Sequence, residues 1–125
     1  MDPTMAHGKI CYIVIPARDI AEAASFYESV FSWHIRRRDD GSVAFDDSVG
    51  QVSGTFVIGL PPSTTQGVFI HIMVANLDET MAAITVNDGT VLEGPGRDLP
   101  EITARFSDPS GNVFGIYQEP SLSTP

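Results

Sequence analysis

The sequence predicts an α+β fold in which two βαβββ modules, placed in tandem, form a curved mixed sheet shaped as a cup. Three observations carry that prediction. An apolar, β-rich run followed by a capped amphipathic helix occurs twice, with the caps Asp19 and Asn76 lying 57 positions apart. Short strand candidates bounded by turn residues follow each helix. The last strands share a glycine pattern, Gly50-Gln51-Val52-Ser53-Gly54 against Gly111-Asn112-Val113-Phe114-Gly115, at an offset of 61.

Residues 9–16 read as the first strand. Asp19 then opens a helix whose apolar stripe is Ile20, Ala23, Ala24, Tyr27, Val30 and Phe31, with Glu22 and Glu28 on the other face. Asp19 with Glu22 three residues on is a capping-box start, and both carboxylates suit the positive end of the helix dipole. Strands are expected at 34–38, 42–46 and 52–58, with Asp39-Asp40-Gly41 turning the hairpin between the first two. The polar, Pro-rich stretch 59–66 reads as a linker. In the second half a strand at 68–74 leads to Asn76 with Glu79, and Leu77, Met81 and Ile84 form the stripe. Asn87-Asp88-Gly89 ends that helix with a glycine C-cap. Strands are expected at 90–93, 101–106 and 112–118. The change of offset from 57 to 61 places a short insertion near Gly94-Pro95-Gly96. These boundaries give one domain over 8–119, with halves at about 9–58 and 67–119 and tails at 1–7 and 120–125. Neither half covers its own sheet fully, so the halves are expected to pair.

A chain of 125 residues with 42% hydrophobic and 18% charged residues can bury an adequate core without a disulfide or a structural metal. The formal net charge of −9 disfavours phosphate backbones and anionic lipid, so neither nucleic acid nor membrane is an expected partner. The one basic run, Arg36-Arg37-Arg38, is followed by Asp39-Asp40 and reads as a solvated strand end. Cys11 stands in an apolar run, where cysteine behaves as a small hydrophobe. There is no CxxC pair, no zinc spacing, no phosphate loop, no membrane-length apolar segment and no signal-peptide pattern, so a cytoplasmic location is expected.

Two stretches resemble a known family. Ile13 to Asp19 followed by Phe26-Tyr27-Glu28-Ser29-Val30-Phe31-Ser32-Trp33 is similar to the opening of vicinal-oxygen-chelate proteins, the glyoxalase/bleomycin-resistance/dioxygenase group. Arg105-Phe106-Ser107-Asp108-Pro109-Ser110-Gly111-Asn112 resembles that family's DPxGN turn. The resemblance covers about residues 8–119 and implies the glyoxalase/bleomycin-resistance fold. It also implies a cup holding a divalent metal on four side chains, whose positions fall here at Tyr12, Gly54, Phe69 and Gly115. None of the four is a usual ligand, and His71 alone cannot make a site. No resident metal or cofactor is therefore expected. Family members commonly pair, which implies a homodimer.

Candidate ligand-binding residues follow from strand alternation around those positions. They are Tyr12, Val14, Phe56, Phe69, His71, Met73, Arg105 and Tyr117. The imidazole of His71 can donate and accept a proton, which makes it the candidate catalytic residue. A buried, hydrogen-bonded histidine is the plainer reading. The tyrosines and phenylalanines are equally at home as sheet packing, and Arg105 as a solvent-facing residue. Gly54 and Gly115 leave room where carboxylates would stand. The function expected is a metal-free binder of a small, partly aromatic or apolar molecule. The alternative is a lyase or isomerase of the glyoxalase superfamily, metal-independent or with an atypical metal site. A third reading is an interaction module whose cup is filled by its own side chains.

Overall fold

Asp19 accepts a hydrogen bond from the backbone N–H of Glu22 at 2.9 Å, and the helix α1 (Ile20–Phe31) starts there. In the second half Asn76 does the same for Glu79, also at 2.9 Å, and starts α2 (Leu77–Val86). Each cap satisfies an N–H that the first helical turn leaves without a partner. These features belong to a computed structural model that describes residues 2–65 and 67–122. The chain divides into two compact units, Met1–Pro62 and Ser63–Pro125.

The first unit holds β1 (Tyr12–Pro16), α1, β2 (His34–Arg37), β3 (Val43–Asp46) and β4 (Ser53–Val57). The second holds β5 (His71–Val74), α2, β6 (Thr90–Glu93), β7 (Thr103–Ser107) and β8 (Val113–Gln118). A 3₁₀ turn over Pro120–Leu122 follows. The sheet orders are β1-β4-β3-β2 and β5-β8-β7-β6, so each unit has the same mixed topology. Its first and last strands run parallel and the others antiparallel. The predicted βαβββ plan is present twice, and the architecture is the expected α+β one.

Three element ends differ from expectation. The first strand starts at Tyr12 instead of residue 9, and Cys11 just before it is exposed instead of packed as a hydrophobe. The fifth strand starts at His71 instead of residue 68, so Phe69 precedes it. At the end of α2 the left-handed residue is Asp88 (φ 71°), not Gly89, whose N–H donates to Ile84 O at 2.8 Å. That 6→1 bond is the Schellman closure, shifted one residue from the sequence expectation.

One face of each sheet is buried by the unit's own helix. In the first unit Tyr27 of α1 stacks on Trp33 at 4.6 Å and on Phe56 at 5.7 Å, and Trp33 stacks on Phe45 at 4.7 Å. In the second, Leu77 and Ile84 of α2 are buried, as are Phe106, Phe114 and Ile116 of the sheet. These apolar faces account for the paired aromatic residues that the sequence repeats at helical and strand spacing.

The turn entering each last strand is built alike. Asp108 Oδ1 accepts from the N–H groups of Ser110 (3.0 Å) and Asn112 (2.9 Å), and Oδ2 accepts from Asn112 Nδ2 at 2.9 Å. Asp47 Oδ1 likewise accepts from Gln51 N at 2.7 Å and Val52 N at 3.2 Å. Gly50 and Gly111 hold positive φ (71° and 97°) at equivalent places, which only glycine adopts without strain. The two aspartates are 61 positions apart, like the glycines. The insertion that separates this offset from 57 lies between the second and third strands. Residues 38–42 join β2 to β3, whereas residues 94–102 join β6 to β7, nine residues against five.

Candidate functional site

The sheet faces turned away from the helices are open, and register decides which residues they carry. In the second unit His71 pairs with Gly115, Met73 with Tyr117, Arg105 with Gly115 and Thr103 with Tyr117. Paired residues share a face, so all of these lie on the open side. Their neighbours Ala104, Phe106, Phe114 and Ile116 are buried on the helix side. Together with Phe69 ahead of β5, and Asp98 and Glu101 from the long β6–β7 connection, they line a concavity of about 520 Å³. That volume falls within the size of small-molecule sites, roughly 300–1,000 Å³.

Gly115 positions His71. A methyl group at Gly115 would meet Cδ2 and Nε2 of His71 at 2.5 Å, so the imidazole lies over the glycine. The space that the sequence suggested for a missing carboxylate is therefore taken by the His71 ring. His71 stands 5.1 Å from the Phe69 ring, centre to centre. The Arg105 guanidinium lies over Phe69 at 4.5 Å from the ring centre, and its Nε meets Glu93 Oε2 at 3.3 Å. The solvent-facing reading of Arg105 is thus replaced by a half-buried guanidinium on the concave face, held by an aromatic ring and a carboxylate.

Two hydroxyl protons at this face are already committed. Tyr117 Oη donates to Glu119 Oε1 at 3.0 Å, and Thr103 Oγ1 donates to Asp98 Oδ2 at 2.5 Å. The hydroxyl and backbone N–H of Ser121, with the Tyr117 phenol, hold the Glu119 carboxyl below the usual carboxylate range. The bond to Glu119 in turn pushes the Tyr117 phenol up, helped by desolvation and by the nearby charges of Glu119 and Glu101. Tyr117 is therefore held as a neutral phenol whose oxygen presents lone pairs. Glu119 is the group that orients it.

In the first unit the open face carries Tyr12, Val14, Ser53 and Thr55, since Tyr12 pairs with Ser53 and Val14 with Thr55. Tyr12 and Val14 are 55% and 48% exposed, so both predicted residues are accessible there. The same face is otherwise polar. Arg36 donates to both Asp46 oxygens at 3.1 Å, and Ser53 donates to Asp46 at 2.7 Å. Arg36 is therefore an ion-pair partner, which corrects its reading as one member of a solvated run. The Ser53 hydroxyl, with Arg36, lowers the Asp46 carboxyl below its ordinary value against the opposing effect of desolvation.

Two expectations are overturned by register. Phe56 is 2% exposed and stacked on Tyr27 beneath α1, so it faces the core and not a ligand. Gly54 pairs with Ile13 and Phe45 on that same face, where a methyl group would overlap the Ile13 carbonyl oxygen and the Phe45 ring. Gly54 therefore leaves room for the core, and the open-face positions of β4 are Ser53 and Thr55. Asp98 and Glu101 were missed because they lie in the inserted connection. The offset change from 57 to 61 was the signal that could have found them.

The residues present do not fit the four-ligand metal centre that the resemblance implies. Tyr12, Phe69 and Gly115 offer no carboxylate or imidazole, and Gly54 is on the wrong face. Among the described residues no three of His, Cys, Asp or Glu converge on a point that would hold an ion. No helix of the described residues is long and apolar enough to cross a membrane.

A family model described as the glyoxalase/bleomycin resistance protein/dioxygenase superfamily matches residues 9–116. A glyoxylase-like domain-containing protein from Didymella fabae is 32% identical over 130 residues, spanning 91% of this chain and 96% of that one. Among solved structures, the fosfomycin resistance protein FosX from Listeria monocytogenes superposes with a TM-score of 0.74 at 15% identity, over 92% of this chain and 93% of its own. An antibiotic-binding protein from Streptomyces sp. CB03234 superposes with a TM-score of 0.69 at 23% identity, over 92% and 98%. At these identities the structural matches speak for the fold, whereas the family model and the fungal relative speak for descent: the chain belongs to the glyoxalase/bleomycin resistance protein/dioxygenase superfamily.

Proposed function

We propose that the protein is a binder of a small, partly aromatic or apolar molecule, that the molecule sits in the concavity of the second unit, and that no resident metal takes part. The observation that carries this reading is the lining itself. Phe69, Met73 and Tyr117 offer apolar and aromatic surface, with His71, Thr103 and Arg105 as a few fixed polar groups among them. This combination is what small-molecule sites use for affinity and orientation. The donor set argues against chelation chemistry, because His71, Asp98 and Glu101 line the concavity without converging on a point that would hold an ion. The antibiotic-binding relative of the same fold lends the reading a precedent and nothing more. The net charge of −9 argues against nucleic acid and anionic membrane as partners. Assembly as a homodimer belongs to the proposal and is checked by light scattering on the purified protein.

The test combines metal analysis with a thermal-shift panel of aromatic metabolites and antibiotics. A ligand at about 100 times its Kd stabilises the folded state by about 2.7 kcal/mol, enough to move the melting point by several degrees. The expected result is a saturable shift with the ligand recovered unchanged. Stoichiometric zinc, nickel, iron or manganese that is lost in His71→Ala would overturn the metal-free reading. Turnover of the bound compound would replace the binder with the lyase or isomerase alternative, in which His71 is the acid–base group.

A further inference from the structure

The polar groups at the concavity are unbalanced between donors and acceptors, and the imbalance specifies the ligand's chemistry. Thr103 is buried, and its hydroxyl proton goes to Asp98; the Tyr117 proton goes to Glu119. Both oxygens therefore face the concavity as acceptors only. Asp98 and Glu101 line the same space, and carboxylates accept and do not donate. On the donor side stand the His71 ring and Arg105. The charge of Arg105 is matched by Glu93 at 3.3 Å and its flat face is spent on Phe69 at 4.5 Å. Glu93 is shared between Arg105 and Arg97, the latter at 3.1 Å, so the lining itself sets two carboxylates, Asp98 and Glu101, against one guanidinium.

An anionic ligand would have to approach two carboxylates and two oxygen lone-pair faces. A donor-rich cation would meet all four favourably. Tyr117 adds an aromatic face, which attracts cations; the Phe69 ring, already covered by Arg105, and Met73 add apolar surface. The acceptors Asp98, Glu101 and Thr103 come from the β6–β7 connection and the strand it enters. The bulk of the apolar surface comes from Phe69 just ahead of β5, Met73 on β5 and Tyr117 on β8.

We propose that the concavity selects a molecule bearing a protonated amine on an aromatic or apolar body, with the amine held by Asp98 and Glu101 and the body resting on Phe69, Met73 and Tyr117. This rests on the reading of the second unit's concavity as a small-molecule site and adds the charge of its ligand. The nine-residue connection places Asp98 and Glu101 on the concavity of the second unit, whereas Asp39 and Asp40 of the five-residue connection lie in an exposed hairpin turn, where Asp40 accepts from Ser42.

The experiment compares three indoles of one size by calorimetry on the full chain: tryptamine as the cation, tryptophol as the neutral form and indole-3-acetate as the anion. Tryptamine is expected to bind about tenfold more tightly than tryptophol, the gain of one charge-assisted contact, with indole-3-acetate weakest. Raising the salt concentration should narrow the gap between tryptamine and tryptophol. Glu101→Gln, on an exposed side chain, should remove most of the tryptamine advantage and weaken tryptophol far less, and Asp98→Asn should act in the same direction. Equal affinity for tryptamine and tryptophol, tighter binding of indole-3-acetate, or indifference of tryptamine to both substitutions overturns the charge assignment while the small-molecule site stands. Failure of all three indoles to bind removes both.

Discussion

His71 and Gly115 form a single unit of the site, because the imidazole occupies the volume that any other residue at position 115 would fill. Gly115 has no left-handed backbone to defend, so alanine is conformationally acceptable there. In a His71→Ala background, Gly115→Ala should stabilise by about 0.4–1 kcal/mol through the unfolded chain. With His71 present the ring must leave its position, and a strain of about 0.5–1.5 kcal/mol should cancel or reverse that gain. Urea denaturation of the four proteins gives the coupling directly. Equal effects in the two backgrounds would mean that the ring is not held over the glycine. Gly54→Ala should destabilise in any background, by about 1–3 kcal/mol, because its neighbours are a backbone carbonyl and a packed Phe45 ring. The sequence reading gave these two glycines one role. Only register separates them, and register was not legible from a match of two short motifs.

At the same scale, Asp46 should set part of the acid limit of stability. Its carboxyl is lowered in the folded state by Ser53 and Arg36. A group with a depressed folded value contributes stability that is present above its ordinary value of 3.8 and is lost as the pH falls through the folded value. Asp46→Asn should therefore lower stability at neutral pH and flatten the decline below about pH 4. Denaturant midpoints measured from neutral pH down to about pH 3 test this, and an unchanged acid limb would contradict it.

Among the elements, the helices were the most legible. Asp19 and Asn76 announced themselves by chemistry, and each accepts the N–H of the residue three positions on. Asp19→Ala should cost about 1 kcal/mol of stability in chemical denaturation, and Asn76→Ala a similar amount. The strands were found to within a few residues, because alternation and turn signals mark their middles better than their ends. Phe69 fell outside its expected strand, and Phe56 onto the other face of its own, where Ser53 and Thr55 alternate with Gly54 and Phe56 and mark the polar side. The β6–β7 connection was recorded only as an insertion, because loop residues carry no periodicity. Cutting it to the five-residue length of the β2–β3 connection should leave the fold intact by circular dichroism. The same cut should lower tryptamine affinity about tenfold or more, since Asp98 and Glu101 leave with it.

For the molecule as a whole, one βαβββ pattern has been used twice and then made unequal. Both units keep the capped helix, the mixed strand order and the aspartate–glycine turn into the last strand. They differ in what their open faces carry. The first presents the Arg36–Asp46–Ser53 network beside Tyr12 and Val14, and the second an apolar concavity edged by carboxylates. The repeat and the family were visible in the sequence because caps, turns and core aromatics are local signals. The inequality was not, because it depends on which side chains share a face. The most direct test is a tryptamine titration of the nitrogen-15-labelled protein followed by amide chemical shifts. The account predicts saturable changes centred on Phe69–Met73, Asp98–Arg105 and Gly115–Tyr117. Changes centred on Tyr12–Val14 and Ser53–Thr55, or no saturable change at all, would contradict it.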